Sequence, residues 1–268
     1  MTSLELVCAH TRARLVEMSH RSRLPHLGSA LSCVEILVAL YFEAARLDPG
    51  VPTDPGRDRI ILSKGHAASA LYATLAARGY LSLEALETFG QLGSALPEHP
   101  SPGCVPGVDF ATGSLGHGLS VGVGLALGSR VSGPPFRTYV VMSDGECNEG
   151  SVWEAALMAA QHRLGSLVAI VDYNKWQATG RSDDVLGLPS LTAKWSAFRW
   201  DVREVDGHDL GALRAALAPG DPCGAPRAVV AHTVKGRGVS FMADDNNWHY
   251  RIPSADEVVR ARAELGVS

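Results

Sequence analysis

Lysine is scarce in this 268-residue chain: four stand against 20 arginines. The bias reads as genomic composition rather than function. With no Lys/Arg run and a net charge of −4, there is no basic patch for nucleic acid. Cysteine is sparse as well. Cys8, Cys33, Cys104, Cys147 and Cys223 are an odd, widely spaced set without a C-x-x-C pair. That pattern argues against a disulfide scaffold or a thiolate zinc site, and for a reducing, cytoplasmic setting. The N-terminus lacks a basic-then-apolar leader. The longest apolar stretch, Ile36 to Phe42, is far short of the ~20 residues that cross a bilayer, so no membrane partner is expected. What is present, 46% hydrophobic and 19% charged residues, is the make-up of a soluble globular enzyme long enough for one large domain.

Short apolar runs alternate with helical patterns. Arg59–Leu62, Thr138–Met142, Ser166–Asp172, Val202–Val205 and Ala228–Ala231 read as strands. Helical periodicity covers much of 4–47, with a break at Leu24–Gly28 and a second helix over Ser32–Ala45, where Ser32 is the expected N-cap and Glu35 closes a capping box. A small-residue helix is expected over Gly116–Gly128 and another from about Trp153 to His162, while 90–113 reads as a long loop. The alternation predicts an α/β fold: a doubly wound, mostly parallel sheet with helices on both faces, in one domain over 1–268.

The strongest chemical signal is Ser143-Asp144-Gly145, then 27 residues, then Tyr173-Asn174. Both ends follow apolar strands, so a parallel sheet sets them side by side. A carboxylate and a carboxamide oxygen are hard ligands, suited to Mg²⁺ or Ca²⁺ beside phosphate oxygens, and Gly145 permits a close backbone approach. Either half alone is an ordinary turn; the matched placement makes the pair informative.

These residues resemble the G-D-G-x-N-N signature of thiamine diphosphate enzymes, with Ser143 for the first Gly and Tyr173 for the first Asn. The resemblance extends along the chain to the transketolase family, in its diphosphate-binding half. His26-Leu27-Gly28-Ser29-Ala30, Ser63-Lys64-Gly65-His66-Ala67, Pro97-Glu98-His99-Pro100, Thr112-Gly113-Ser114-Leu115-Gly116-His117-Gly118, Val234-Lys235-Gly236-Arg237-Gly238 and Trp248-His249 match its blocks in order. The last pair and His117, in place of a frequent Gln, are typical of two-chain members. The resemblance implies thiamine diphosphate with Mg²⁺, for which Ca²⁺ or Mn²⁺ could substitute, held by Asp144, Asn174 and the carbonyl of Trp176. It implies His26, His66, His99 and His249 around the thiazolium and donor sugar, with His66 and His249 also near the diphosphate. Further cofactor contacts are implied for Gly113, Ser114, Leu115, Gly116, Gly145 and Glu146. Glu149 matches a glutamate that joins paired active sites; a helix N-terminal carboxylate is the plainer reading of the same residue. Imidazole suits proton transfer at substrate hydroxyls near neutral pH. His10, His20, His162, His208 and His232 match nothing catalytic and are expected to be structural.

The resemblance also implies something beyond this chain. The family's pyrimidine-binding domain, which supplies a glutamate, has no counterpart after Ala231. A separate C-terminal subunit, in an α₂β₂ assembly, is therefore expected to complete a transferase moving a two-carbon ketol unit from a ketose, or ketose phosphate, to an aldose. Two alternatives remain: thiamine-dependent two-carbon transfer to an acyl carrier or specialised sugar, and a non-catalytic cofactor-binding subunit. The glycines at 116, 118 and 122 mimic a dinucleotide fingerprint but follow no strand, so NAD binding is not expected.

Overall fold

The computed structural model describes residues 2–267. Five strands, β1 (Arg59–Leu62), β2 (Thr138–Ser143), β3 (Leu167–Tyr173), β4 (Asp201–Asp206) and β5 (Arg227–His232), form one sheet in the order β1-β2-β3-β5-β4, and every neighbouring pair is parallel. The helices are α1 (Ser3–Ser22), α2 (Leu27–Ser32), α3 (Val34–Ala39), α4 (Ala68–Arg78), α5 (Gly118–Val131), α6 (Gly150–Gln161), α7 (Ser182–Leu186), α8 (Leu191–Ala197), α9 (Leu210–Leu217) and α10 (Ala255–Leu265). β2 and β3 are almost continuously apolar because helices cover both sheet faces. Alternate side chains enter opposite cores. Tyr139, Val141 and Ile170 pack with α1–α4, α9 and α10; Val140, Met142 and Val171 pack with α5, α6 and α8. The edge strand β4 carries Asp201, Arg203, Glu204 and Asp206, charges that discourage pairing with another sheet. Among the described residues no helix is long and apolar enough to cross a membrane, and all five cysteines are free.

The expected α/β sheet and its strands are present. The helix expected over Ser32–Ala45 is instead interrupted at Cys33 and finishes in a π-helical turn over Leu40–Ala44. Ser32 is the last residue of α2, not a cap; its hydroxyl donates to Asp172 Oδ2 at 2.6 Å. Glu35 does not close a capping box but accepts from Arg12 at 2.5 Å and lies 3.0 Å from His208. A carboxylate buried this deeply needs charged or polar partners more than it needs to cap an amide. α5 starts at Gly118 rather than Gly116. Its Gly122 meets β2 so closely that a Cβ there would lie 2.6 Å from Val140 Cγ2, whereas Gly124 and Gly128 have no neighbour within 4 Å.

Parallel strands place the loops following them at one edge of the sheet. Here that edge gathers Ser63–His66 after β1, Asp144–Glu149 after β2, Asn174–Trp176 after β3, and a strap from Thr233 to His249 after β5.

Candidate active site

Asp144 and Asn174 end adjacent strands and are both buried. Asp144 accepts hydrogen bonds from the Gly145 amide at 3.0 Å, the Lys175 amide at 3.1 Å and the Ser182 hydroxyl at 2.7 Å. All three donors are neutral, and among the described residues no cation lies within ion-pair distance of its carboxylate. Burial pushes the Asp144 carboxyl up to about 6, with the Ser182 hydrogen bond opposing. Such a carboxylate, costly to hold without a counter-charge, is the donor a divalent cation would relieve. Asn174 Oδ1 accepts from the Trp176 amide at 3.0 Å, which folds the Trp176 peptide back over the same corner. Lys175 between them is left-handed, with φ of 69°.

Beneath this corner lies an ion pair that the motifs did not announce. Lys64 and Asp172 are both buried and directly bonded. Lys64 also donates to the Ser29 carbonyl at 2.9 Å, and Asp172 accepts from the hydroxyls of Ser32 and Thr233. Burial works against both charges. The Asp172 carboxylate nevertheless holds Lys64 up at about 12, and Lys64 holds Asp172 below the usual carboxylate range. Glu146 is a second hidden hub. Its fully buried carboxylate accepts from the Gly116 amide at 3.0 Å, the Ser143 amide at 2.8 Å and the Ser63 hydroxyl, tying three motif loops together.

Four histidines form a contiguous cluster. His26 lies 4.7 Å from His66 and 5.0 Å from His249 by ring centroids, and His66 lies 4.7 Å from His99. His26 is left-handed, φ 72°, and its backbone N–H donates to the His249 carbonyl at 2.7 Å. Its Nδ1 is buried without a hydrogen-bond partner; the nearest carboxylate oxygen, on Glu98, is 3.7 Å away. Burial, then His66 and His99, bring His26 down to about 4; burial and then Lys235 bring His249 down to about 3. Burial and His99 also lower His66. These three rings are therefore neutral near pH 7, able to accept a proton or to donate an N–H.

Backbone proximity assembles the cluster. A Cβ on Gly65 would sit 2.6 Å from the Gly113 nitrogen, and one on Gly113, at φ 136°, would sit 2.8 Å from the His99 ring. Ser114 and Leu115 are exposed on the same loop, and Gly116 packs against Glu149. Glu149 occupies the N-cap position of α6, yet its side chain makes no capping bond and is exposed. Lys235, fully buried, donates to Asn246 at 2.6 Å and lies 3.0 Å from His249 Nδ1; burial brings it down to about 8. Lys64 and Lys235 are the site residues that sequence reasoning passed over. Lysine scarcity was the available signal: two of the four lysines are buried here, each inside a motif.

The family model described as "Transketolase, thiamine diphosphate binding domain" matches residues 5–268. The chain is 42% identical over 264 residues to one subunit of the apulose-4-phosphate transketolase of Phocaeicola vulgatus, covering 98% of this chain and 94% of that protein. It is 42% identical over 217 residues to the 6-deoxy-6-sulfo-D-fructose transketolase subunit SqwG of a Clostridium species, covering 81% and 79%. Among solved structures, transketolases from Leishmania mexicana (TM-score 0.91, 28% identity) and Campylobacter jejuni (0.92, 26%) superpose on the whole chain, which spans only 42% and 43% of theirs.

Proposed function

The chain belongs to the transketolase family, spanning its thiamine diphosphate-binding domain, and from that premise we propose that it is the diphosphate-binding subunit of a two-chain transketolase. The observation that carries the proposal is the joining, at one sheet edge, of a buried carboxylate with no described cation within ion-pair distance and a cluster of four histidines. The two-subunit reading is supported by length: the chain covers 94% of a relative that is itself named as one subunit of a transketolase, but about two fifths of full-length transketolases. A separate subunit would bring the pyrimidine-binding domain, in an α₂β₂ assembly, while residues 1–268 form the single domain contributed here. The five free cysteines support a cytoplasmic place for the pair.

The residues fit the cofactor. His26 Nδ1 is buried and unsatisfied, Asp144 is a buried carboxylate with no described cation within ion-pair distance, and the Gly65–Gly113 approach leaves no room for side chains where backbone must pass. In this proposal Asp144, Asn174 and the Trp176 carbonyl hold Mg²⁺, or Ca²⁺ or Mn²⁺ in its place. Gly113–Gly116, Gly145, Glu146, His66 and His249 border the cofactor. Thiamine diphosphate, when bound, supplies the nucleophilic carbon that carries a two-carbon unit from a ketose or ketose phosphate to an aldose. His26, His66, His99 and His249 would bind the sugar hydroxyls and move their protons, the neutral rings of His26, His66 and His249 acting as acceptor or donor without a prior change of charge. Glu149, exposed and making no capping bond to α6, would join a carboxylate network linking paired active sites.

The test is reconstitution. The tagged chain, recovered from its native lysate, should bring down a stoichiometric second chain, and the pair should transfer two-carbon units between sugars only with thiamine diphosphate and a divalent cation. Turnover by the purified chain alone would overturn the two-subunit reading.

A further inference from the structure

His208 lies outside the site but is wired to it. It sits in the turn after β4, with Nδ1 3.0 Å from Glu35 Oε2 on α3, and Glu35 in turn accepts from Arg12 on α1 at 2.5 Å. On the opposite side of the ring, the Val234 backbone N–H donates to Nε2 at 2.9 Å. A nitrogen that accepts carries no proton, so the proton is on Nδ1, directed at Glu35, and the ring is neutral. Val234 is the second residue of the strap that leaves β5, and the next residue is Lys235, whose ammonium contacts Asn246 and His249. Protonation at Nε2 would set N–H against N–H and withdraw the acceptor that anchors the strap.

Several titratable groups share the cavity that the ring lines: Glu5 and Cys8 on α1, Glu43 after α3, Arg214 on α9 and Glu264 on α10. Arg12 faces the ring from α1 and Glu35 from α3. In its own turn, Asp206 accepts the His208 backbone N–H at 2.8 Å, and Asp209 is spent on the Gly211 and Ala212 amides. On the strap, Lys235 is engaged by Asn246 and His249. Arg237 borders the same cavity, a space of about 830 Å³ walled by α1, α9 and α10 that His208 also lines, its side chain 7% exposed.

We propose that His208 is a positioning residue for the cofactor site: a proton-sensitive latch whose neutral ring holds the strap bearing Lys235 and His249. The inference rests on the cofactor reading above, and its test separates the two. Thiamine diphosphate with Mg²⁺ is titrated into the full chain, with its partner where binding requires one, and followed by tryptophan quenching. The proteins are wild type, His208→Gln and His208→Asn, from about pH 7.5 to about 5.5, the range in which imidazole ordinarily titrates. Gln can accept from Val234 without titrating; Asn is too short. Relative to His208→Gln, the wild-type dissociation constant should rise by up to about tenfold per pH unit on acidification. His208→Asn should bind weakly at both ends of the range. Amide exchange at Val234, corrected for its intrinsic rate, should accelerate on acidification in wild type and not in His208→Gln. Superimposable pH profiles, or Val234 protection indifferent to pH in wild type, would overturn the latch. Should no protein bind the cofactor, the site reading falls, and the Val234 exchange still decides the latch.

Discussion

Replacing Lys64 by Met should destabilise the chain by about 3–5 kcal/mol, the range for stripping one partner from a buried ion pair. The magnitude follows from what Asp172 keeps. Its carboxylate is fully buried, and without the ammonium it has the Ser32 hydroxyl at 2.6 Å, the Thr233 hydroxyl and the Asn174 amide at 3.4 Å, all neutral. At ~3 Å and an effective dielectric of ~20, the lost attraction is about 5 kcal/mol before the avoided desolvation of lysine is set against it. For a domain of this size that is a fall of roughly 10 °C in Tm. Urea unfolding followed by circular dichroism should show a lower midpoint at unchanged slope. The pH dependence has a definite sign. In wild type the depressed Asp172 pKa contributes stability above the unfolded carboxylate value, lost as pH falls. In Lys64→Met, burial is opposed only by the neutral Ser32, Thr233 and Asn174 hydrogen bonds and raises that pKa above the unfolded value, so the variant recovers part of its deficit on acidification from pH ~7 to ~5. Combining Lys64→Met with Asp172→Asn should cost less than the sum of the singles by about 2 kcal/mol or more, on the order expected for a direct buried contact. A single-variant loss below about 1 kcal/mol, or additivity in the cycle, would refute the reasoning.

Asp144→Asn should abolish Mg²⁺-dependent retention of thiamine diphosphate while raising the Tm of the cofactor-free chain near pH 7. The folded pKa of about 6 lies above the unfolded value, so this carboxylate is a burden, of order 3 kcal/mol at most, that grows as pH rises from about 4 to 6; equilibrium dialysis and thermal melts check both halves. His26→Ala in the reconstituted pair should lower kcat by about 10²–10⁴-fold with cofactor affinity nearly unchanged, and a defect confined to cofactor binding would contradict a substrate-facing role. Gly113→Ala should displace the His99 ring, which its Cβ would approach to 2.8 Å, and adds strain at φ 136°; activity should fall more steeply than the modest loss of Tm, and wild-type turnover would show that the His99 position is not needed.

The legible part of the site was the part written in local pattern. Asp144 and Asn174 could be placed because each follows an apolar strand, and parallel order then sets neighbouring strand ends together. The histidines were found through motif resemblance, and their clustering within 5.0 Å is consistent with that reading. Partners of buried charges could not be read. Ser32 and Glu35 look like a capping box because their spacing satisfies one, but at their depth Ser32 serves Asp172 and Glu35 serves Arg12 and His208. His208, expected to be structural, lies between Glu35 and the Val234 amide of the strap, a contact that spacing does not record.

Strand and helix periodicity, the glycines at close approaches and the order of the motif blocks determined the sheet and the family, because each is a short-range constraint that survives in linear order. Only the tertiary structure decided which charges meet. Lys64 finds Asp172 across 108 residues, and Ser63 finds Glu146 across 83. Burial makes such pairings obligatory, since a charge removed from water must be met by whatever the fold brings near, and sequence spacing carries no record of which group that is.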